Sequence, residues 1–238
     1  MDFISGQILY FDKPYRWTSF DVVAKVRWIL CRKLKVKKLK VGHAGTLDPL
    51  ATGVVTVCTG RATKRIDELQ AHTKEYVAML QLGATTPSFD LEKEIDATYP
   101  TQHITRELID DILPRFRGRI EQVPPAFSAC KVDGDRAYKL ARKGQEVQLK
   151  AKILVIDELE ILGFDSEKMQ LELRIVCSKG TYIRALARDI GEALQSGAHL
   201  IALRRTRVGD ISVGQCMQVE NFPAWLDQQD ITLAHPDQ

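Results

Sequence analysis

The sequence predicts an α+β protein with a mixed, largely antiparallel central sheet, flanking helices and one inserted segment. Strand-like runs outnumber helical runs and the two do not alternate regularly, a pattern that disfavours a doubly wound parallel sheet. The 238 residues, 45% of them hydrophobic, suffice for a packed core in one or at most two domains. The segment 122–152 carries strand, helix and turn residues of its own, so we expect it to project from the sheet.

Hydrophobic periodicity places the elements along the chain. Alternating or β-branched runs predict strands, and the valine-rich run 54–58 is continuous enough to be buried on both faces. The predicted strands cover residues 7–11, 54–58, 74–82, 118–123, 128–132, 153–162, 169–177 and 199–208. Helical spacing predicts helices over residues 19–31, 105–116 and 182–194.

The first helix has a clear N-terminal signal. Thr18 or Ser19 can cap it, and Asp21 falls in its first turn, where a negative charge is favoured. The apolar residues expected to face the core from this helix are Phe20, Val23, Val26 and Leu30. The three tryptophans are expected to anchor packing rather than to stack on bases; they are Trp17, Trp28 and Trp225.

The formal charge of +3 hides an uneven distribution of charge. Residues 1–70 carry 13 Lys and Arg against 6 Asp and Glu, and residues 115–152 carry 10 against 4. Seven basic residues fall between Arg27 and Lys40 with no acid among them, whereas residues 210–238 contain five acids and no Lys or Arg. A basic surplus confined to two segments is typical of a polyanion-binding surface, although solvated faces are often as uneven.

Composition also disfavours several classes of protein. No stretch approaches the ~18 apolar residues that span a bilayer, and the N-terminus lacks the charged-then-apolar order of a secretory signal. The five cysteines are far apart and form no CxxC pair, so we expect reduced thiols rather than disulfides or zinc ligands. We therefore expect a cytoplasmic protein with no bound metal.

The stretch that points most directly to chemistry is residues 42–53, GHAGTLDPLATG. Its three glycines allow close approach of the backbone to a ligand, and Pro49 biases Asp48 toward an extended conformation. The pattern favours a carboxylate held out from a rigid loop beside a buried strand. The alternative is a turn in which Asp48 only caps the backbone.

Two other clusters are candidates for the same site. Arg184 lies in the first turns of a predicted helix, where the helix dipole does not favour a cation, so we expect it to meet an anion. Tyr76 opens a predicted strand, directly after Lys74 and Glu75, and its ring could stack on a base.

The glycine-rich stretch, extended as GHAGTLDPLATGVVTVCTGRATK, resembles the signature loop of the TruB family of tRNA pseudouridine synthases. Four other stretches resemble the remaining motifs of that family, in its order and spacing. They are KEYVAMLQLG, VPPAFSACKVDGDRAYKLARKG, CSKGTYIRALARDIG and GAHLIALRRTRVG. The resemblance covers residues 7–209, which is most of the chain.

The resemblance implies the pseudouridine synthase fold and a division of the chain. Residues 1–209 would form the catalytic domain, in which 122–152 is a thumb-like element that closes on RNA. Residues 210–238 would be a short acidic segment, too short for the full RNA-binding domain of the PUA type that many members carry. Arg16 departs from the family pattern, which usually has Gly there, and Phe127 stands where Tyr is common.

The resemblance also implies an activity, which is isomerisation of the uridine at position 55, in the T-arm of tRNA, to pseudouridine. It implies that Asp48 is the catalytic aspartate, that Tyr76 stacks on the target uracil and that Arg184 is the partner of the aspartate. The residues implied to bind the flipped nucleotide or the RNA around it are His43, Leu203, Lys131, Arg142, Lys179 and Tyr182. The partner would be tRNA, bound through its T-arm stem-loop by a monomer that contacts no membrane.

The implied chemistry suits these residues. The C–N glycosidic bond breaks, the uracil turns and C5 bonds to the same ribose, so no cofactor is needed. A single carboxylate can act as the nucleophile at C6 of the base or at C1′ of the ribose, and the sequence leaves that choice open. A nearby Arg184 would favour the charged form of Asp48 as the site closes.

Cations outside the catalytic set would position phosphates without reading the RNA sequence. They are the basic runs 32–40 and 115–152, with Arg204, Arg205 and Arg207.

Three other functions fit the sequence less well. They are a non-catalytic protein that binds or folds tRNA, a synthase that acts on another RNA, and a hydrolase of glycosidic bonds. Hydrolase chemistry usually needs two opposed carboxylates, and no second acid shares the loop of Asp48.

Overall fold

The chain of the computed structural model divides into two units, one formed by Met1–Lys74 with Arg204–Gln238 (unit 1) and the other by Glu75–Leu203 (unit 2). The structure describes residues 1–128, 131–132, 135–136 and 149–232.

The strands in chain order are β1 (Ile8–Lys13), β2 (Val41–His43), β3 (Ala51–Thr59), β4 (Lys74–Leu82), β5 (Ala84–Thr85), β6 (Ala97–Thr98), β7 (Gly118–Gln122), β8 (Lys131–Val132), β9 (Asp135–Arg136), β10 (Lys152–Asp165), β11 (Gln170–Cys177), β12 (Ala198–Val208), β13 (Ile211–Ser212) and β14 (Met217–Gln218). The α-helices are α1 (Ser19–Leu34), α2 (Ile66–Gln70), α3 (Arg106–Ile112), α4 (Ile183–Ala193) and α5 (Phe222–Asp227). Short 3₁₀ helices lie at Gly60–Arg65, Leu113–Phe116, Val213–Gln215 and Val219–Asn221.

The sheet of unit 1 is built around β3. Strand β1 pairs antiparallel with β3 on one side and parallel with β14 on the other. Strand β2 pairs antiparallel with β3, and the C-terminal part of β12 pairs antiparallel with β13. Every residue of β3 except Thr52 is buried, as expected for a β-branched strand covered on both faces. The prediction of a buried strand over 54–58 is confirmed.

Helix α1 begins where the sequence predicted it. Thr18 is the N-cap: its hydroxyl accepts a hydrogen bond from the Asp21 N–H at 3.0 Å, and the Asp21 carboxylate accepts one from the Thr18 N–H at 2.7 Å. This reciprocal pair is a capping box. The helix continues to Leu34, past the predicted end at residue 31, and Lys35 closes it in the left-handed conformation.

The core-facing stripe of α1 differs in part from the prediction. Its buried apolar residues are Val22, Val23, Val26, Ile29, Leu30 and Leu34. Phe20 is instead 61% exposed, because the buried stripe begins at Val22 and turns Phe20 away from the sheet. The prediction that Trp28 anchors packing is also wrong, since Trp28 is 54% exposed on the outer face of the same helix.

The acidic segment after Gly209 is a folded part of unit 1. Strand β14 lies beside β1, and Phe222 of α5 is completely buried. The Phe222 ring meets the Phe11 ring edge-on at 5.3 Å between centroids and stacks on the Trp225 ring at 5.8 Å. Trp225 is therefore a packing residue, as predicted.

The sheet of unit 2 is antiparallel around β10, which pairs with β7 and β11. Strand β4 lies between β11 and the N-terminal part of β12. Buried and half-buried residues alternate along β4, as the pattern at 74–82 predicted. Antiparallel pairing dominates in both units and the β1–β14 pair is parallel, so the predicted mixed, largely antiparallel sheet is confirmed.

The two later helices agree with the predictions. Helix α3 and the 3₁₀ turn Leu113–Phe116 cover the stretch predicted as helix over 105–116, and the Thr105 hydroxyl accepts a hydrogen bond from the Leu108 N–H at 3.3 Å. Helix α4 covers most of the stretch 182–194 and packs its apolar side inward.

The insertion at 122–152 is described in part. Strands β8 and β9 pair antiparallel. Strand β8 (Lys131–Val132) lies within the strand predicted over 128–132, and residues 129–130 of that stretch lie outside the described residues. The remainder of the predicted thumb-like element, including its helix, lies outside the described residues.

Four of the cysteines fall in the described part of the chain, and all four are free; they are Cys31, Cys58, Cys177 and Cys216. Burial raises the pKa of the Cys58 and Cys216 thiols to about 11, so both stay protonated near neutral pH. None of the helices in the described ranges combines the length and apolarity that a bilayer crossing requires.

The close approach of β12 to β3 gives a prediction about Gly53. Its φ is +109°, and a Cβ atom there would lie 2.1 Å from the Arg205 carbonyl oxygen, whereas Gly118 has φ +76° and open space around its Cβ position. We expect Gly118→Ala to lower the free energy of unfolding by about 1–2 kcal/mol, the cost of a left-handed φ. Gly53→Ala should lower it further, because backbone must also move. Urea denaturation compares the two variants, and equal losses would show that β12 does not require the glycine.

Candidate active site

Asp48 lies in the loop that joins β2 to β3. The two strands pair antiparallel, with His43 opposite Val57, and residues 44–50 connect them. Gly42 and His43, expected to belong to the loop, are therefore strand residues. At the other end of the loop, the Ala51 N–H donates a hydrogen bond to the Asp48 carbonyl oxygen at 3.1 Å.

A buried serine of α1 holds the residue that precedes Asp48. The Ser19 hydroxyl accepts a hydrogen bond from the Leu47 N–H at 2.8 Å and contacts the Leu47 carbonyl oxygen at 3.2 Å. Ser19 and Leu47 are 1% and 3% exposed. Both backbone groups of Leu47 are thus satisfied by one side chain, which fixes the direction in which the chain enters Asp48.

The residue that follows Asp48 is held from β1 and the turn after it. The Pro49 carbonyl oxygen accepts hydrogen bonds from the Arg16 N–H at 2.8 Å and from the Lys13 ammonium at 3.3 Å. Arg16 has φ +67°, a left-handed conformation that glycine adopts without strain. This explains physically why the family pattern has Gly where this chain has Arg16.

Lys13 is completely buried, and sequence reasoning did not single it out. Its ammonium also donates to the carbonyl oxygens of Pro14 at 3.0 Å and Trp17 at 2.5 Å. Burial lowers the pKa of Lys13 to about 8, against an opposing effect of the negative charge of Asp48. A buried cation that feels the Asp48 carboxylate is the kind of perturbed group found at functional sites.

Arg205 holds the first half of the loop. It is 1% exposed, and its guanidinium donates to the carbonyl oxygens of Gly45 at 3.2 Å, Thr46 at 3.4 Å and Val54 at 2.7 Å. The prediction that Arg205 positions phosphates is therefore wrong, because its donors are committed to the backbone inside the protein. Arg204, in contrast, is partly exposed and forms an ion pair with Asp12 at 2.7 Å.

His43 ends β2 immediately before this loop. Burial, and secondarily the positive charge of Arg205, lowers the pKa of the imidazole. His43 is therefore neutral near pH 7 and has one nitrogen that can donate and one that can accept a hydrogen bond.

In unit 2, Arg184 is buried at the start of α4. It is 5% exposed, and its guanidinium donates to the carbonyl oxygens of Ser88 at 3.2 Å and Phe127 at 3.0 Å. Its Nε lies 3.6 Å from a carboxylate oxygen of Asp90, which is also buried. Arg184 thus pairs with the Asp90 carboxylate, and its predicted role as the partner of Asp48 stays a prediction. Asp90 was not predicted, because nothing in its local sequence marks it as a partner of residue 184.

A second buried contact fixes the N-terminus of α4. The Gln122 side chain accepts a hydrogen bond from the Tyr182 N–H at 2.9 Å and donates one to the Tyr182 carbonyl oxygen at 3.2 Å. Gln122 is 1% exposed and ends β7, where the insertion begins. The entry to α4 and the base of the insertion are therefore coupled.

The other predicted site residues of unit 2 lie on separate elements. Tyr76 is 8% exposed on β4, and Leu203 is half-buried on β12, the strand next to β4. Lys179 is exposed in the turn before α4. Lys131 begins β8, and Arg142 lies outside the described residues.

Within the described ranges, no group of three or more His, Cys, Asp and Glu side chains is arranged to hold a metal ion.

Family models match nearly the whole chain. Residues 32–183 match the model described as TruB family pseudouridylate synthase (N terminal domain). Residues 184–234 match the model described as tRNA pseudouridylate synthase B C-terminal domain.

Two curated relatives are similar to the chain over almost their full length. The chain is 71% identical over 231 residues to tRNA pseudouridine synthase B of Phocaeicola vulgatus. The matched residues cover 97% of this chain and 97% of that protein. It is 68% identical over 234 residues to the protein of the same name from Bacteroides fragilis, covering 98% of this chain and 100% of that protein.

Solved structures resemble the chain at lower identity. One is described as a crystal structure of a Cbf5-Nop10-Gar1 complex, with 28% identity, a TM-score of 0.70 and coverage of 96% of this chain and 58% of that chain. Another is described as the structure of an H/ACA RNP bound to a substrate RNA containing 2′-deoxyuridine, with 26% identity and a TM-score of 0.65. The match covers 94% of this chain and 56% of that chain. The chain thus spans little more than half the length of these two proteins.

The Ser19 contact gives a prediction about the Asp48 loop. Ser19→Ala leaves the Leu47 backbone groups buried without their partner, so we expect a loss of about 1–3 kcal/mol in the free energy of unfolding. The Leu47 amide should also exchange its hydrogen faster. The matched control is Ser196→Ala, a second buried serine that donates to the Pro100 carbonyl oxygen at 3.0 Å. Urea denaturation and hydrogen exchange measure both effects; unchanged exchange at Leu47 in Ser19→Ala would contradict this role.

Proposed function

The chain belongs to the TruB family of pseudouridine synthases, and on that premise we propose that it isomerises uridine to pseudouridine at position 55, in the T-arm of tRNA. The observation that carries the proposal is 71% identity to a tRNA pseudouridine synthase B over 97% of both chains. The geometry around residue 48 is consistent with it, because a loop braced on both sides presents a carboxylate.

The proposed nucleophile is Asp48. Attack at C6 of the uracil or at C1′ of the ribose would lead to cleavage of the bond between N1 and C1′. After the base turns, C5 bonds to C1′, the C5 proton leaves, N1 gains a proton and the carboxylate is released. Atoms and electrons balance without a redox partner, so the chemistry asks the protein for one positioned carboxylate and a closed site.

The bracing of the Asp48 loop supports this role. A nucleophile is effective when its position is set before the substrate arrives, since misplacement by about 1 Å can cost about a hundredfold in rate. Leu47 and Pro49 are each fixed through their backbone, by Ser19 on one side and by Lys13 and Arg16 on the other. The loop itself therefore need not be ordered by RNA.

We propose that Tyr76 and Arg184 of unit 2 act on the same nucleotide as Asp48. Extruding a stacked base costs a few kcal/mol, and stacking on the Tyr76 ring can return about 1–3 kcal/mol of that. Arg184 would stabilise negative charge in the closed site. Asp90 would keep the guanidinium oriented when no RNA is bound, since the two groups are already 3.6 Å apart.

The remaining predicted residues would bind RNA around the target. His43 would meet the flipped nucleotide and Leu203 would pack at the pocket. Lys179 and Tyr182, at the start of α4, together with Lys131 and Arg142 of the insertion, would contact the T-arm.

Asp48→Asn tests the nucleophile with little change of shape. We expect pseudouridine formation in T-arm RNA to fall at least about a thousandfold, because the amide cannot attack carbon. The RNA dissociation constant should change by less than about threefold. Carbodiimide mapping measures the product and filter binding measures affinity. The control is Asp67→Asn, the same change at an exposed residue of α2; retained product with Asp48→Asn would favour a non-catalytic role in RNA binding or folding.

Arg184→Leu tests the second part of the proposal. We expect turnover to fall at least about a hundredfold while RNA binding persists, because the charge that stabilises the reacting carboxylate is gone. Arg188→Leu is the control, since Arg188 lies one turn later on α4 and pairs with Asp189 at 2.6 Å. Turnover of Arg184→Leu within a few-fold of the unchanged protein would refute the role, and Asp90→Asn should give an intermediate loss.

A further inference from the structure

Unit 1 contains a second basic feature that the catalytic residues do not use. A cavity of about 850 Å³ lies between α1, the residues that lead into β2, and the 3₁₀ turn Gly60–Arg65. We call it the α1–β2 groove. Four of the ten residues that line it are cations, Arg27, Lys37, Lys38 and Lys40, and none is an acid.

The arrangement of these cations indicates an anion rather than a solvated surface. Lys37, Lys38 and Lys40 are exposed and available, and they have no ion pairs among the described residues. Arg27 is partly buried, and its Nε finds no hydrogen-bond partner within the described part of the chain. Arg27 lines the groove, so its guanidinium contributes a fourth positive charge at the wall, although the Nε atom itself has no exposed surface.

Two further cations of α1 lie outside the residues that line the groove and contact an exposed aromatic ring. Lys25 and Arg32 of α1 lie over the Trp28 ring, at 5.3 Å and 4.8 Å from its centroid. Such cation–π contacts restrict long side chains that would otherwise be mobile. The exposed side of α1 therefore carries two further cations beside those of the groove.

The groove leads toward the Asp48 loop. Val41 and Gly42 form part of its wall, and His43 ends the same strand. A Cβ atom on Gly42 would lie 2.9 Å from the Ile66 side chain, so strand and wall are in close contact. A nucleic-acid strand bound in the groove would therefore run beside β2, the β-strand that leads into the Asp48 loop.

We propose that the α1–β2 groove binds the sugar–phosphate backbone of the substrate RNA, outside the nucleotide that is isomerised. The proposal rests on the proposed function for the identity of the anion. RNA fits better than an anionic membrane, because a flat surface cannot reach a wall residue such as Arg27, whereas a phosphodiester strand can enter a concave groove. The contact is with phosphates and independent of sequence.

The test is the salt dependence of binding to T-arm RNA. Each phosphate contact contributes about 0.7 to 0.9 to the slope of log affinity against log salt. Lys37→Gln/Lys38→Gln should therefore lower the slope by about 1.4 to 1.8, with affinity about tenfold weaker at low salt. The control pair is Arg106→Gln/Lys168→Gln, which removes the same charge from exposed residues that pair with Asp110 and Asp165. An equal change of slope in both pairs would overturn the proposal.

A local measurement separates occupancy of the groove from long-range electrostatics. Cys31 lines the groove and is half-buried. Saturating RNA should slow maleimide labelling of Cys31 by at least about threefold in the unchanged protein, and by less in Lys37→Gln/Lys38→Gln at the same RNA concentration. Unchanged labelling of Cys31 would show that RNA does not occupy the groove and would overturn the proposal.

Two outcomes distinguish this proposal from others. If the Lys37→Gln/Lys38→Gln variant keeps the RNA slope but loses binding to phosphatidylserine vesicles, the groove serves a membrane and the proposal is wrong. If the unchanged protein binds RNA through the groove yet forms no pseudouridine, the proposed function fails while this inference stands.

Discussion

The arrangement of unit 1 depends on how the backbone of the 44–50 loop is satisfied. The loop has no ladder partner of its own beyond its ends, so its polar groups must be bonded by side chains from elsewhere. Ser19, Lys13 and Arg205 supply those bonds from α1, β1 and β12. Each is almost completely buried, so each is shielded from competing water. The half-buried carboxylate of Asp48 is thereby positioned by three parts of the fold that lie far apart in sequence.

In unit 2 the buried group that needs partners is a charge, the guanidinium of Arg184. Burying a guanidinium is costly unless its donors are paired, and Arg184 has two carbonyl oxygens and a carboxylate around it. The amide of Gln122 fixes the backbone two residues earlier, at Tyr182. These contacts place a cation at a helix start, where the dipole alone would not favour it.

Charge in this protein is divided between two uses. Buried cations such as Lys13 and Arg205 donate to carbonyl oxygens and give the site its shape. Exposed cations such as Lys37 and Lys38 are available to an external polyanion. The segregation matters because a cation whose donors are committed inside the protein contributes little direct binding to a phosphate.

Much of the architecture could be predicted from the sequence by itself. The alternation along β4, the β-branched run of β3 and the Thr18 cap of α1 are local patterns, and each element forms where its pattern indicated. The composition of the 42–53 stretch, with glycines and one acid before a proline, marks Asp48 as the candidate nucleophile, and that role stays a prediction. The motifs that resemble the TruB family were readable in the same way.

Only the tertiary structure decided which side chains brace the site and which face solvent. Each of these side chains bonds a residue far away in sequence. Ser19 and Leu47 are 28 residues apart, and Lys13 and Pro49 are 36 apart. Arg184 and Ser88 are 96 residues apart, and Arg205 and Gly45 are 160 apart. No local periodicity encodes such pairs, because periodicity reports which face of an element is apolar and not which element it meets. The predictions that Arg205 positions phosphates and that Trp28 anchors packing are wrong for the same reason. A basic or aromatic residue looks alike in sequence whether it is buried against a carbonyl oxygen or exposed on a helix.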